Sequence, residues 1–247
     1  MAERIVYLHG VPESGDMWKP FVERTGGDAP DLPGFGRSDK PADGDYSFRG
    51  LASWFADYAK DLESYSLVVH DWGAVGLLAA IERPEALERL VIIDAVPFLP
   101  GYHWHPLARV WRRRGAGELF MGLSNKWSFR LLATRQSETQ VPETVLEEQI
   151  DAIWNYFDHG TQRAILRLYR SAPEELLADA GRDLGKITAP TLVVWGAKDP
   201  YLDAKFAHDY AAALGGPAEV DVVEDAGHWP WFEKPDVIDR VTAFVGR

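Results

Sequence analysis

The segment Val68-Val69-His70-Asp71-Trp72-Gly73-Ala74 constrains this chain more than any other. A β-like apolar run ends, one carboxylate follows, and a helix rich in small residues (Ala74, Gly76, Ala79, Ala80) starts at once over 73–83. A strand that feeds directly into a helix returns through a crossover, which builds parallel sheets. The same grammar recurs. Strand-like runs lie at 5–8, 66–70, 90–94, 191–195 and 219–223, and Gly26 to Gly36 reads as a very short strand running into a loop. Helical patterns cover 47–62, 203–214 and 235–245, the first with Leu51, Phe55, Tyr58 and Leu62 at spacings of three and four. The expected fold is α/β, with a mostly parallel sheet of about six strands and helices on both faces.

From about residue 98 to 185 the alternation stops. Helical stretches at 106–122, 126–134, 142–158 and 161–170 follow one another without a strand. We read 1–97 and 186–247 as one core and 98–185 as a helical cap inserted into it. The chain has 247 residues, enough for a sizeable core. Its net charge of −12 argues against nucleic acid and anionic membrane surfaces as partners. The one basic cluster, Arg112-Arg113-Arg114, reads as a solvated helix face. No apolar run approaches the roughly 20 residues of a membrane span, and no secretory leader is expected. Cys is absent, which excludes disulfides and thiolate metal sites and agrees with a cytoplasmic setting.

Three residues carry the chemistry. Asp71 sits at the strand–helix turn, where a helix N-terminus favours an anion. Asp199, in Trp195-Gly196-Ala197-Lys198-Asp199-Pro200, lies just past a strand, at the sheet edge where open α/β folds build their sites. His228, in Asp225-Ala226-Gly227-His228-Trp229-Pro230, follows the next strand. Taken singly, these read as a helix cap, a turn residue and a structural histidine. Together they give the order nucleophile, acid, histidine.

That order, with His9-Gly10-Val11-Pro12-Glu13-Ser14, Asp31-Leu32-Pro33-Gly34-Phe35-Gly36-Arg37-Ser38-Asp39 and Asp94-Ala95-Val96-Pro97-Phe98, resembles the α/β-hydrolase fold over nearly the whole chain except the cap. The Asp-Trp-Gly elbow is similar to that of epoxide hydrolases and haloalkane dehalogenases. The resemblance implies that Asp71 attacks a saturated carbon to give an alkyl-enzyme ester, which water activated by His228 then hydrolyses while Asp199 orients the imidazole. It implies an oxyanion site on the amides of Val11 and Trp72. It requires no cofactor and no metal, only a small apolar substrate and water. Because only Ile5 to Leu8 precede His9-Gly10, the family's first strands are expected to be missing.

Epoxide opening needs an acidic O–H. Leu168-Tyr169-Arg170 resembles the family's ring-opening tyrosine motif, with Tyr102 and Tyr156 as candidates for a second phenol. A halide needs weakly polar N–H donors, here Trp72 with Trp104, Trp111, Trp127 or Trp154; Val11 stands where one dehalogenase group carries Asn. Epoxide hydrolysis is the favoured expectation, haloalkane dehalogenation the alternative, and another hydrolase or a non-catalytic binder the remainder. Tyr102, Trp104, Tyr156 and Trp229 are assigned to the substrate pocket. His70 is expected to pack beneath the elbow and Asp94 to be structural or a reserve acid. His103 and His105 flank Trp104 without a third metal ligand.

Overall fold

The computed structural model describes residues 4–136 and 143–246. Its sheet has five strands, all parallel, in the order β1 to β5. The chain runs β1 (Arg4–Leu8), α1 (Lys19–Thr25), α2 (Phe48–Ala59), β2 (Tyr65–Asp71), α3 (Val75–Glu82) and β3 (Leu87–Ala95). Six helices follow: α4 (Pro106–Arg112), α5 (Ala116–Leu123), α6 (Lys126–Gln136), α7 (Glu143–Trp154), α8 (His159–Ser171) and α9 (Glu174–Ala180). Then come β4 (Thr191–Gly196), α10 (Lys205–Ala213), β5 (Ala218–Val223), α11 (Pro230–Glu233) and α12 (Asp236–Val245). Among the described residues, no helix is long and apolar enough to cross a membrane.

The strands bury both faces, and the period of two sorts their side chains. Ile5, Tyr7, Val68, Val91, Ile93, Leu192 and Val194 face one side, where Trp18 from the turn before α1, Phe21 of α1, and Val241 and Phe244 of α12 cover them. Val6, Leu8, Leu67, Val69, Leu90, Ile92, Val193 and Trp195 face the other, under α2, α3 and α10. Helix α2 starts at Ser47, whose hydroxyl accepts the Gly50 N–H, and sends Leu51 and Phe55 into the core.

Two expectations change. The sixth strand survives only as one parallel bridge between Val6 and Asp28, made by Tyr7 N–H to the Asp28 carbonyl and Asp28 N–H to the Ile5 carbonyl. Gly26 in the left-handed region precedes it and Pro30 follows it, so neither side extends the ladder. The single helix expected at 106–122 is two, α4 and α5, broken where Arg113 is extended and Gly115 adopts φ 80°. Arg112, at the end of α4, is half-buried rather than a fully solvated residue. Its guanidinium donates to the carbonyls of Tyr169 and Ala172 at 2.5 and 2.6 Å and lies over Trp104, whereas Arg113 and Arg114 are exposed. The helix expected over 142–158 is α7; residue 142 lies outside the described residues.

The junction of β2 and α3 is the tightest point. A 3₁₀ turn, Trp72–Ala74, links them. A Cβ on Gly73 would fall 2.2 Å from the Leu8 carbonyl oxygen, so β1 and the turn touch through backbone alone. Gly73→Ala therefore forces strand and turn apart. The expected loss is about 1–3 kcal/mol, read as a lower denaturation midpoint with an unchanged m value. An unaltered midpoint would mean that the junction yields freely.

Candidate active site

Asp71 ends β2 with φ 47° and ψ −120°, a conformation that costs a non-glycine residue of order 1–3 kcal/mol. The strain aims the carboxylate across the sheet edge toward the loop after β1. There Oδ1 accepts the Val11 N–H at 2.8 Å. Gly10 makes the approach possible, because its Cβ would fall 2.4 Å from the Asp71 Cβ. His9 fixes this loop: Nδ1 donates to the Gly10 carbonyl at 2.7 Å and Nε2 accepts the Leu32 N–H at 2.9 Å. Burial pushes its imidazole below the ordinary value, consistent with a neutral ring.

His228 follows β5 and faces both carboxylates. Nδ1 donates to Asp199 Oδ2 at 2.7 Å, and Nε2 lies 3.8 Å from Asp71 Oδ2. Asp199 is fixed in turn, its Oδ1 accepting the N–H groups of Tyr201 and Leu202 at 2.7 and 3.0 Å. Burial alone would push the His228 imidazole down. The charge and hydrogen bond of Asp199, with the charges of Asp71 and Glu13, outweigh it and raise the group to about 9. The free site thus holds an imidazolium at neutral pH. Burial pushes Asp71 up, and the charges of His228 and His70 act against it. The three residues expected from the sequence therefore meet in one place, with the Val11 amide beside them.

Glu13 lies within the His9-Gly10-Val11-Pro12-Glu13-Ser14 motif, which by itself assigns it no role. The structure puts it at the centre of the support. Its buried carboxylate accepts the Gly10 N–H at 2.8 Å and the Trp229 indole N–H, and it faces His70 Nδ1 at 3.3 Å. His70 Nε2 donates to the His228 carbonyl at 2.9 Å, so the ring lies beneath the elbow. Burial would raise the Glu13 carboxyl; His70, Trp229 and His228 together bring it to about 2.

A cavity of about 310 Å³ opens over Asp71 and His228. Tyr102, Trp104 and Trp229, assigned from the sequence to the pocket, line it, and so does Tyr169. Tyr156 does not. Its ring carries the Arg37 guanidinium at 5.2 Å and its carbonyl accepts from Lys40 Nζ, which holds it outside the cavity. Tyr169 stands edge-on to Trp72, with ring centroids 5.4 Å apart. Burial, then neighbouring negative charge including that of Asp71, pushes the phenols of Tyr169 and Tyr102 well above their ordinary value. The Tyr102 hydroxyl and the indole N–H groups of Trp72 and Trp111 are buried without a hydrogen-bond partner among the described residues. Of the four indoles considered for a second donor, Trp104 spends its N–H on the Ala172 carbonyl at 2.9 Å. Trp127 is 71% exposed and Trp154 stacks on Phe157. Only Trp111 both lines the cavity and keeps its N–H.

Among the further lining residues, Tyr201 and His105 carry polar groups to which the sequence assigned no pocket role. Tyr201 lies two places after Asp199, its ring centroid 5.0 Å from that of His228. His105 lines the cavity beside it, and burial brings its imidazole down to about 4. His103 is exposed. Asp94, Asp199 and His228 form a group with ligand-type atoms within 4.8 Å of one another. The His228 Nδ1–H is already committed to Asp199 there, the arrangement of a hydrogen-bonded relay.

Comparison with known proteins bears on the family and the fold. The model of the alpha/beta hydrolase family matches residues 5–241. A haloalkane dehalogenase of Mycolicibacterium paratuberculosis is 28% identical over 97% of this chain and 82% of its own length. Haloalkane dehalogenase 1 of Mycobacterium tuberculosis is 30% identical over 90% of this chain and 79% of its own. Among solved structures, the epoxide hydrolase CorEH superposes with a TM-score of 0.80 at 23% identity, covering 98% of this chain and 91% of that one. Haloalkane dehalogenase DbeA from Bradyrhizobium elkani gives 0.78 at 23%, with 99% and 90% covered. At that identity the superpositions speak for the fold alone.

The buried Glu13 charge has a pH signature. Its folded-state value is depressed from 4.5 to about 2, so its contribution is present above 4.5 and is lost as pH falls through about 2. The contribution at neutral pH is on the order of 3 kcal/mol. Denaturation of wild type and Glu13→Gln should differ by a value of this order at pH 7, and the gap should close toward pH 2. A gap that does not change with pH would mean that Glu13 acts by shape rather than charge.

Proposed function

Because this chain belongs to the α/β hydrolase family, we propose that it is an epoxide hydrolase that opens small apolar epoxides to diols through an ester on Asp71. The observation that carries this reading is the pair of phenols, Tyr169 and Tyr102. Both line the cavity and both feel the Asp71 charge, which keeps them protonated and able to donate. Residues 98–185 act as the cap that brings them over a core made of 1–97 and 186–247.

Asp71 attacks an epoxide carbon from behind. The C–O bond on that carbon breaks, and the departing oxygen takes the Tyr169 proton while Tyr102 supports it. Charge thus never develops unpaired in a dry cavity. The His228 imidazolium returns its Nε2 proton to the Tyr169 phenolate; a water molecule then attacks the carboxyl carbon of the ester and gives a proton to the now neutral Nε2, with Asp199 holding Nδ1–H. The oxyanion formed on Asp71 meets the Val11 N–H, already 2.8 Å from the carboxylate oxygen. Collapse expels the alkoxide, which takes the His228 Nε2 proton and departs as the diol, and the proton of the regenerated Asp71 carboxyl passes to His228 and restores the resting imidazolium. The aromatic lining selects an apolar substrate.

Haloalkane dehalogenation is the second reading. Two unpartnered indole N–H groups, on Trp72 and Trp111, favour it, as do the names of the sequence relatives. A paired assay separates the two. Styrene oxide should give diol, while a dibromoalkane should release little bromide. Bromide without diol would reverse the assignment, and consumption of neither would leave another hydrolase or a binder. Tyr169→Phe removes one transition-state donor and should slow alkylation of Asp71 by roughly a hundredfold, softened if Tyr102 shares the load. A wild-type rate would make Tyr169 a packing residue.

The ester itself is open to capture. His228→Gln should still alkylate and then stall, so intact-mass spectrometry should find the enzyme heavier by one substrate. A folded variant that forms no adduct would place His228 before the alkylation step.

A further inference from the structure

The cap side of the cavity keeps two N–H donors that epoxide opening does not use. His105 stands directly before α4 and Trp111 lies on it, their rings edge-on with centroids 6.4 Å apart, and both line the cavity. His105 Nδ1 accepts the Ala108 N–H at 3.3 Å and so closes the first turn of α4. A ring nitrogen that accepts carries no hydrogen, so the proton of the neutral imidazole sits on Nε2. Nε2 meets no hydrogen-bond partner among the described residues. Burial, then the His228 charge, brings this imidazole down to about 4, which leaves it neutral near pH 7. The Trp111 indole N–H is buried and also meets no partner among the described residues.

Neighbouring polar groups of the cavity wall are committed. Ser124 and Ser128 give their hydroxyl hydrogens to the carbonyls of Phe120 and Asn125. Trp104 and Trp229 spend their indole N–H groups on the Ala172 carbonyl and on Glu13. Trp72 packs against Tyr169 and Trp104, whereas Trp111 packs against Tyr169, His105 and Phe120. Tyr169 thus touches both the reacting end and the donor pair, and one bound molecule can meet both. An N–H left unpaired in an apolar cavity costs free energy that an oxygen of that molecule would recover. The charges nearby decide which oxygen. At the reacting end Asp71 and Asp199 outnumber the His228 imidazolium, and His105 feels the Asp199 charge. The two arginines of α4 turn to backbone, Arg109 to the Trp104 carbonyl and Arg112 to those of Tyr169 and Ala172. An anionic group would meet only neutral donors against that negative excess, whereas a neutral oxygen meets no such opposition.

We propose that His105 and Trp111 form a specificity subsite: their N–H groups hold a neutral acceptor oxygen, an ether or a carbonyl, carried on the substituent of the epoxide whose ring oxygen meets Tyr169. The preferred substrate is then an epoxide with such an oxygen close to the ring and apolar groups beyond it, of which the glycidyl ethers are the simplest. This substrate class rests on the reading of the chain as an epoxide hydrolase, but the donor pair as a binding site does not.

Two epoxides that differ at a single position test it: phenyl glycidyl ether, and its isostere in which a methylene replaces the ether oxygen. His105→Ser keeps a side-chain cap for the Ala108 N–H but is too short to reach the cavity, and Trp111→Phe keeps a ring without the N–H. The ratio of kcat/KM, ether over hydrocarbon, should be roughly tenfold higher in wild type than in the double variant, with each single variant between, because the hydrocarbon leaves the donors unpaired. Comparing ratios cancels both the intrinsic reactivity of the two epoxides and any general effect of the substitutions on cavity shape. A second arm needs no turnover and no variant activity. The diols of the two epoxides are added in turn to nitrogen-15-labelled wild type at saturating concentration. The Trp111 indole proton, assigned by its loss in Trp111→Phe, should move downfield with the phenoxy diol and not with its methylene counterpart. A kcat/KM ratio that is the same in wild type and the double variant, or an indole proton that the phenoxy diol leaves unmoved, overturns the proposal. A shifted indole proton in a protein that consumes neither epoxide would leave the subsite standing and remove the epoxide hydrolase reading instead.

Discussion

The bond from the Val11 N–H to Asp71 joins residues 60 positions apart and fixes the geometry of the whole site. It requires β1 and β2 to end level with each other, which their parallel register provides by pairing Leu8 with Val69. It requires the chain to turn twice at close quarters without side chains, at Gly10 against Asp71 and at Gly73 against Leu8. It also requires a strained φ at Asp71, which a short polar residue tolerates better than a branched one. These conditions are met only if the sheet edge is rigid. Trp18 and Trp231 stack beneath it with centroids 5.4 Å apart, and both rings pack edge-on to His70.

Where sequence and structure agree, the cause is local. The β2–α3 elbow is a run of consecutive residues whose turn leaves room for one carboxylate, so Asp71 was legible at once. Asp199 and His228 were legible because each follows its own strand, and parallel strands deliver their C-terminal ends to one edge. Where the two differ, the cause is tertiary. Nothing near Glu13 in the chain announces that His70, 57 residues on, and Trp229, 216 residues on, will converge on its carboxylate. Tyr156 and Tyr102 look alike as cap phenols; Arg37, from the loop before α2, captures the first and leaves the second facing the cavity. The division between α4 and α5 depends on one glycine inside a pattern that otherwise reads as continuous helix. The lost edge strand shows the reverse case, in which Pro30 was visible but the number of ladder positions beside it was not.

Charge ties these parts into a sequence of events. In the resting site the imidazole sits among Asp199, Asp71 and Glu13, and their combined field holds it protonated near 9. A protonated His228 cannot serve as a base, which looks like a defect. On the proposed reaction it is a timing device. The imidazolium first stabilises the Asp71 anion that must attack, standing 3.8 Å from its oxygen. Once Asp71 becomes an ester its charge is gone, and one of the three negative charges that raised the imidazole disappears. The affinity of His228 for its proton falls at the moment when a base is needed, and the same ring that guarded the nucleophile becomes free to activate water. Glu13 and Asp199 remain, so the fall is partial and the ring keeps its orientation through the second step. The order of the two half-reactions therefore follows from which carboxylate is consumed, without any movement of the chain.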